Sequence, residues 1–278
     1  MAVGCVHPTC SGPQNAFAVA ALPGSNCVME NYEPTLSFGP AVAANDVATT
    51  RGEEADIVAF LSGIARDRRC LEFAVGTGRI AVPLAKSGLG VDGVDLSADM
   101  LAALETRDGA DLIGTVHGDM SEVSFDRTYG LVYLVHNSLF NVLTQDGQVR
   151  CFQNASRHLD DDGVFVIEAT MPTRFVRAPE GQSLKVAAVS IDSLEVNARL
   201  YNPATQTIEG TRMRLSTDGI VSWPIVFRYA WPSEIDLMAR IAGLILVDRW
   251  GGWNGEAFTS TSDRHISVYG RSDATPER

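Results

Sequence analysis

Between Glu53 and Arg66 the apolar residues Ile57, Val58, Phe60, Leu61 and Ile64 return at the three-to-four-residue spacing of an amphipathic helix. A short apolar run over 70–75 follows and opens onto Gly76-Thr77-Gly78. From there strand-like and helix-like segments alternate. Ile80, Val82, Leu84 and Ala85 make a short helix that stops near Ser87-Gly88, where glycine takes the left-handed cap conformation readily. A strand near 90–95 ends in Asp95, and Ser97 caps a helix carrying Met100, Leu101 and Leu104 on one side. A third strand, 112–117, leads into Gly118-Asp119-Met120, and a fourth, Tyr129 to Val135, is apolar almost throughout and ends in His136-Asn137. Strands without polar alternation belong inside a parallel sheet. The helix from Thr144 to Leu159 sets Val149, Phe152, Ala155 and Leu159 on one face, Asp160 to Gly163 turns the chain, and a fifth strand covers 164–169. This alternation predicts an α/β fold with a doubly wound, mostly parallel sheet.

The period then changes from helical spacing to two. Leu194, Val196, Ala198 and Leu200, then Thr211, Met213 and Leu215, then Ile225, Phe227, Tyr229 and Trp231 alternate along the stretch 184–231, with turn residues at Asn202-Pro203 and Asp218-Gly219. An antiparallel β insert over 171–230 is expected, one that covers substrate and divides a core of 29–170 and 231–278. After it, Ser233 and Asp236 resemble a capping box for a helix bearing Ile235, Met238 and Ile241 and ending at Gly243. Strands near 244–250 and 264–270 complete a seven-stranded sheet. Residues 1–28 hold Gly, Pro, Ser and Asn without periodicity and are expected to be a disordered extension, with Met29 an alternative start.

Charge narrows the partners. The chain carries 34 Asp and Glu against 22 Lys and Arg, a formal charge of -12, without a basic block, which argues against nucleic acid as a partner. No apolar run approaches the roughly 18 residues that span a bilayer, so no membrane partner is expected. Five scattered cysteines, an odd number, suit a reducing, cytoplasmic setting. Cys5, His7 and Cys10 lack an evident fourth ligand, so no metal site is expected.

Gly76 and Gly78 stand where the backbone turns from strand to helix with its amides facing a ligand. The spacing Gly76-x-Gly78-x-x-Ala81 also satisfies a dinucleotide fingerprint, and Asp95 lies where either cofactor family places a ribose-binding acid. Two further acids separate the alternatives. Glu72 is a carboxylate within an apolar strand, and a buried anion requires a partner such as a sulfonium or an ammonium. Asp119 can accept from an adenine amino group while Met120 covers the ring. As structural alternatives, Asp95 and Asp119 are ordinary loop acids and Glu72 pairs with an arginine.

With these residues in place the chain resembles the class I S-adenosylmethionine-dependent methyltransferases over roughly 50–170 and 231–270. Glu72, Gly76 and Gly78 match the first motif, Asp95 the ribose acid and Asp119-Met120 the adenine motif; Phe73, Arg79, Leu96 and Met100 border them. The resemblance implies S-adenosyl-L-methionine as cofactor and a Rossmann-like sheet. The insert and the run Tyr229 to Gly243 are similar to those of natural-product N-methyltransferases, aminosugar N,N-dimethyltransferases and peptide terminal-amine methyltransferases among them. That kinship implies a small-molecule or peptide amine acceptor, and a homodimer is a further expectation.

Substrate-facing candidates follow from where ligands bind in such sheets, beyond the carboxyl ends of the fourth and fifth strands. His136 takes or relays an amine proton, or is a core histidine. Asn137 and Asn141 orient the acceptor, or begin a helix. Glu168 stabilises a cationic amine, and the resemblance implies that Tyr32 closes over the cofactor. Tyr229, Trp231, Trp250 and Trp253 wall an ammonium or belong to the core, and Arg174 and Arg177 bind a diphosphate or are solvated. Small-molecule O-methylation, a nicotinamide-dependent oxidoreductase and a silent cofactor-binding module are the alternatives in function.

Overall fold

The computed structural model describes residues 32–176 and 181–271, apart from the side chains of Arg174 and Val176. The predicted extension 1–28, with Cys5, His7, Cys10 and Cys27, and Arg177 lie outside the described residues. Tyr32 falls outside the compact unit, which begins at Glu33.

Within the larger unit a short 3-10 turn, Pro34–Phe38, precedes helices α1 (Pro40–Ala48) and α2 (Glu54–Ala65). Then strand and helix alternate as the periodicity predicts: β1 (Cys70–Phe73), α3 (Ala81–Lys86), β2 (Val91–Asp95), α4 (Ala98–Glu105), β3 (Ile113–His117), β4 (Tyr129–Leu134), α5 (Gln145–His158) and β5 (Leu159–Thr170). A single turn of helix, α6 (Thr173–Val176), leads to four strands, β6 (Gln182–Val189), β7 (Ser193–Asn202), β8 (Thr207–Ser216) and β9 (Gly219–Arg228). The chain ends in α7 (Pro232–Ile241), β10 (Leu244–Trp250) and β11 (Arg264–Arg271).

Seven strands make one sheet in the order β10-β11-β5-β4-β1-β2-β3, while β6 to β9 form a separate antiparallel sheet in sequence order. β1 to β5 pair in parallel, and β11 runs antiparallel to both β5 and β10. β1 lies between β2 and β4, and every residue of β1 and β4 is buried. The reason is two-sided packing, because successive side chains of a strand point to opposite faces. Val132 and Leu134 of β4 join Leu71, Phe73, Phe152 and Phe165 on one face, whereas Leu131, Tyr133 and Val135 join Ile57, Leu61, Leu84 and Ile266 on the other. Each such fully buried side chain contributes about 1.5–3 kcal/mol, so the central strands are the least yielding part of the sheet.

Local chemistry explains most boundaries. Ser97 Oγ accepts the Met100 amide at 3.2 Å and starts α4, and Thr144 Oγ1 accepts the Gly147 amide at 3.0 Å and starts α5. Two expectations fail in detail. The turn at Asp160 to Gly163 is an outward bulge within the continuous strand β5: Leu159 pairs with Tyr129, and the next β4 partner, Leu131, pairs with Val164. A Cβ at Gly163 would lie 2.8 Å from the Tyr129 carbonyl oxygen, so the bulge closes only around a glycine. The capping box at Ser233 and Asp236 does not form. Trp231 caps α7 without a side-chain bond and Pro232 starts the helix, while the Asp236 carboxylate accepts from Tyr269 Oη at 2.8 Å and pairs with Arg249.

Candidate active site

The turn after β1 is built from left-handed backbone. Ala74, Gly76 and Gly78 have φ of 56°, 55° and 73°, which swings the chain from strand to helix within a few residues. The two glycines serve different ends. A Cβ at Gly78 would press within 3.0 Å of Val82 and 3.1 Å of Leu104, so the close packing of α3 and α4 requires its absence. A Cβ at Gly76 would meet nothing within 4 Å, so this glycine faces open space. Its amide donates to Asp95 Oδ2 at 2.7 Å, and the Ser97 amide donates to Oδ1 at 2.8 Å, tying the end of β2 to the turn. Burial raises the Asp95 carboxyl above its ordinary value.

The space beside Gly76 is a cavity of about 370 Å³ at the carboxyl ends of β1 to β4. Glu72, Asp95, Asp119, Met120 and His136 line it, so the structure brings together acids drawn from three strand ends. Glu72 is 3% exposed and is pushed up to about 8 by burial, against the stabilising hydrogen bonds from Tyr133 Oη, at 2.9 Å, and the Ala81 amide. Among the described residues no cation pairs with it. Asp119 Oδ1 accepts the Ser121 amide at 2.7 Å, and Asn154 of α5 donates to the Met120 carbonyl at 2.9 Å, holding this loop in place.

The chain around α1 covers one side, with Pro34, Phe38, Asp46 and Arg51 among the lining residues. It is latched to the glycine turn by polar side chains. Arg79, 8% exposed, donates to the carbonyls of Thr49 and Asp46, each at 2.6 Å, and to Glu54 at 3.0 Å. Thr77 donates to Asp46 Oδ2 at 2.7 Å. Burial opposes ionisation of Asp46, but the bonds from Thr77 and Arg79 outweigh it and hold the carboxyl below its ordinary value.

On the other side, His136 follows β4 with φ 56° and Asn137 with φ 63°, two successive non-glycine residues in the left-handed region. The His136 amide donates to Glu168 Oε2 at 2.7 Å. Burial lowers the imidazole to about 4, and its Nε2 is buried without a partner among the described residues. Asn137 Oδ1 accepts the Thr170 amide, and Glu168 Oε1 accepts from Arg264 at 3.0 Å. His136 and Asn141 line the cavity; Asn137 and Glu168 do not.

These residues fit an adenosyl sulfonium ligand. The open cradle at Gly76, a buried carboxylate at Glu72 without a cation, and acids at two further strand ends are what a cationic nucleoside would require. Comparison with known proteins points the same way. Residues 70–163 match a family model described as a methyltransferase domain. The structure of the CcbJ methyltransferase from Streptomyces caelestis is 31% identical, superposes with a TM-score of 0.80, and covers 86% of this chain and 99% of its own. The chain belongs to the S-adenosylmethionine-dependent methyltransferases. The cypemycin N-terminal methyltransferase of a Streptomyces species is 27% identical over 242 residues, 86% of this chain and 99% of that protein. A dTDP-3-amino-3,6-dideoxy-alpha-D-glucopyranose N,N-dimethyltransferase of Streptomyces fradiae is 34% identical over 98 residues, 35% of this chain and 38% of that one.

In this methyltransferase Leu96, Met100 and Arg79 line the cavity beside the acids, whereas Phe73 does not line it and packs edge-on against Phe165 in the core. Tyr229 packs on Phe175, and Trp250 and Trp253 pack on Phe60, so these aromatics belong to the core. No described residue of 182–228 lines the cavity; the small sheet reaches its border where Ser37 Oγ donates to the Pro224 carbonyl. Among the described residues no helix is long and apolar enough to cross a membrane. Sequence reasoning missed Asp46, Thr77 and Arg51. Asp46 sits in the alanine-rich run of α1, where a lone acid carries no spacing signal.

Proposed function

We propose that the methyltransferase N-methylates an amine of a small natural product, sugar or peptide. The observation that carries this reading is His136: a neutral imidazole at the cavity wall, lowered to about 4 by burial, with Nε2 free of any partner among the described residues. Such a ring is a weak base. A hydroxyl acceptor needs real deprotonation before it attacks, whereas an amine already has a useful neutral fraction near neutral pH and needs only orientation. The relatives named for peptide and aminosugar N-methylation support the same direction.

S-adenosylmethionine supplies an electrophilic methyl group on a positively charged sulfur. Glu72, Gly76, Asp95 and Asp119-Met120 would hold it, with Leu96 and Met100 beside them and Arg79 bracing the turn. In the Nε2-unprotonated tautomer His136 accepts a hydrogen bond from the acceptor amine and directs its lone pair. Asn141 adds a second polar contact. Asn137 and Glu168 act on the backbone around His136, and Phe73 supports the turn from the core. Alignment of two bound reactants is worth about 7–11 kcal/mol over free ones, so a strong base is dispensable.

The test is incubation of the purified protein with S-adenosylmethionine and a panel of aminosugars, peptides with free amino termini, and hydroxyl compounds matched in size, followed by mass spectrometry. Mass gain on amines alone is expected, and His136→Ala should slow it at least tenfold. Methylation restricted to hydroxyl compounds overturns the reading in favour of O-methyl transfer.

A further inference from the structure

His136 occupies a conformation that its own sequence does not favour. Left-handed backbone is costly for a residue with a Cβ, and here two such residues stand in succession. The surrounding structure therefore has to hold them. On Asn137 the hold is the side-chain bond to the Thr170 amide. Across the bend the Ser138 amide and hydroxyl donate to the Val135 carbonyl at 3.2 and 2.8 Å, and the His136 amide itself has one acceptor, Glu168 Oε2, on a residue only 4% exposed. A carboxylate at that depth is stabilised by a cation set against it. Arg264, at the start of β11, supplies it: Nη1 donates to Glu168 Oε1 at 3.0 Å, and Nη2 pairs with Glu53 Oε2 at 2.7 Å. Four segments distant in sequence thus converge on one backbone amide, and neither Arg264 nor Glu168 touches the cavity.

We propose that Arg264 is a positioning residue for methyl transfer: by bridging Glu53 and Glu168 it keeps the Glu168 carboxylate on the His136 amide, which secures the left-handed bend that sets the His136 ring at the cavity wall. This rests on the role assigned to His136 above. Arg264 forms three charge-assisted contacts from one planar guanidinium, two to Glu53 and one to Glu168, and a lysine at this position offers a point charge in place of that fork. Glu53 adjoins the covering chain around α1, so the bridge also links that cover to the wall opposite.

The test begins without any acceptor. In the full-length protein loaded with S-adenosylhomocysteine, backbone amide hydrogen exchange is followed at His136 and, as an internal reference, at Gly76, whose amide is held by Asp95 and not by this bridge. Arg264→Met should speed exchange at His136 at least tenfold and leave Gly76 within twofold; Arg264→Lys should fall between. Equal exchange at His136 in wild type and both variants overturns the proposal. If Arg264→Met loses its cooperative melting transition, Arg264→Lys and Glu53→Gln carry the comparison. The second arm measures kcat with the panel amine turned over fastest. Arg264→Met should cost at least tenfold alone and nothing further in a His136→Ala background, with S-adenosylhomocysteine affinity within twofold. Additive losses refute the positioning role while leaving His136 in its own. A His136→Ala enzyme with undiminished kcat refutes the His136 role, and the positioning role with it.

Discussion

The seven-stranded sheet and the four-stranded sheet solve opposite problems with similar residues. In β1 and β4 every side chain is buried, because helices cover both faces. In β6 Leu184, Val186 and Val189 are apolar and yet exposed, Val189 by 73%, and the sheet is anchored chiefly at its base through Ile208, Val226 and Phe227. A hydrophobic strand is therefore not by itself a core strand. What distinguishes them is the second layer: the cavity stands on strand ends that cannot shift without disturbing two packed faces, whereas the outer half of the small sheet can vary without moving Gly76, Asp95 or His136.

The sharpest way to break this contrast is to hollow the central sheet. Phe165 is fully buried and meets the rings of Phe73 and Phe152 edge-on. Phe165→Ala should cost about 3–5 kcal/mol through lost contact and a residual cavity. A thermal melt should show a fall of roughly 10 °C, and a shift of a degree or two would mean that the central layer is far more compliant than its burial implies. Next in size is Asp95→Ala. The variant loses a charged acceptor for a ligand's hydroxyls and leaves the amides of Gly76 and Ser97 without their partner. At about 1.5–3 kcal/mol for a charged hydrogen bond, affinity for S-adenosylhomocysteine should drop roughly 10- to 100-fold by calorimetry. Unchanged affinity would place the ribose elsewhere.

The same contrast explains what was legible from the residues alone. Strand and helix alternation, the order of seven strands' worth of segments and the switch to period two at 184 are all local patterns, and local patterns survive in sequence. The glycines and Asp95 were legible because a strand-turn-helix fixes their spacing, and that spacing brings Glu72, Asp95 and Asp119 to one cavity. The surroundings of Glu168 were not legible. It lies at a strand end where a substrate-facing acid is expected, but its partner Arg264 is 96 residues away and only the antiparallel pairing of β5 with β11 brings them together. Asp46 with Arg79 is a similar case, a pairing across 33 residues that no periodicity announces. At Ser233 the short-range motif was present and lost, because Arg249 and Tyr269 offer Asp236 stronger partners than a helix-end amide.

Glu72 lets pH sharpen the comparison. Burial raises its carboxyl to about 8 from 4.5, so the folded protein keeps a proton that the unfolded chain releases. The sign follows: stability of the ligand-free protein falls as pH rises from about 4.5 to about 8 and levels off above. Binding a cation beside Glu72 favours the ionised form, so S-adenosylmethionine should release a proton below pH 8, and its affinity should climb with pH by up to tenfold per unit before flattening near 8. Calorimetry in two buffers of different ionisation enthalpy reads the released proton directly. Glu72→Gln should abolish the release; if the wild type and this variant release protons equally, another group is titrating.

The smallest expected effect is on the outer sheet. Val186 pairs with Val196 in the middle of the β6-β7 ladder, and its side chain is 61% exposed. A lysine there keeps the backbone hydrogen bonds, removes little buried area and adds a solvated charge on an edge strand, a place where charge is well tolerated. Val186→Lys should therefore change stability by no more than about 0.5 kcal/mol in a chemical denaturation and leave S-adenosylhomocysteine affinity unaltered. A loss above about 2 kcal/mol would show that this face is covered in solution, and the distinction between a doubly layered sheet that carries the site and a singly layered one would then have to be redrawn.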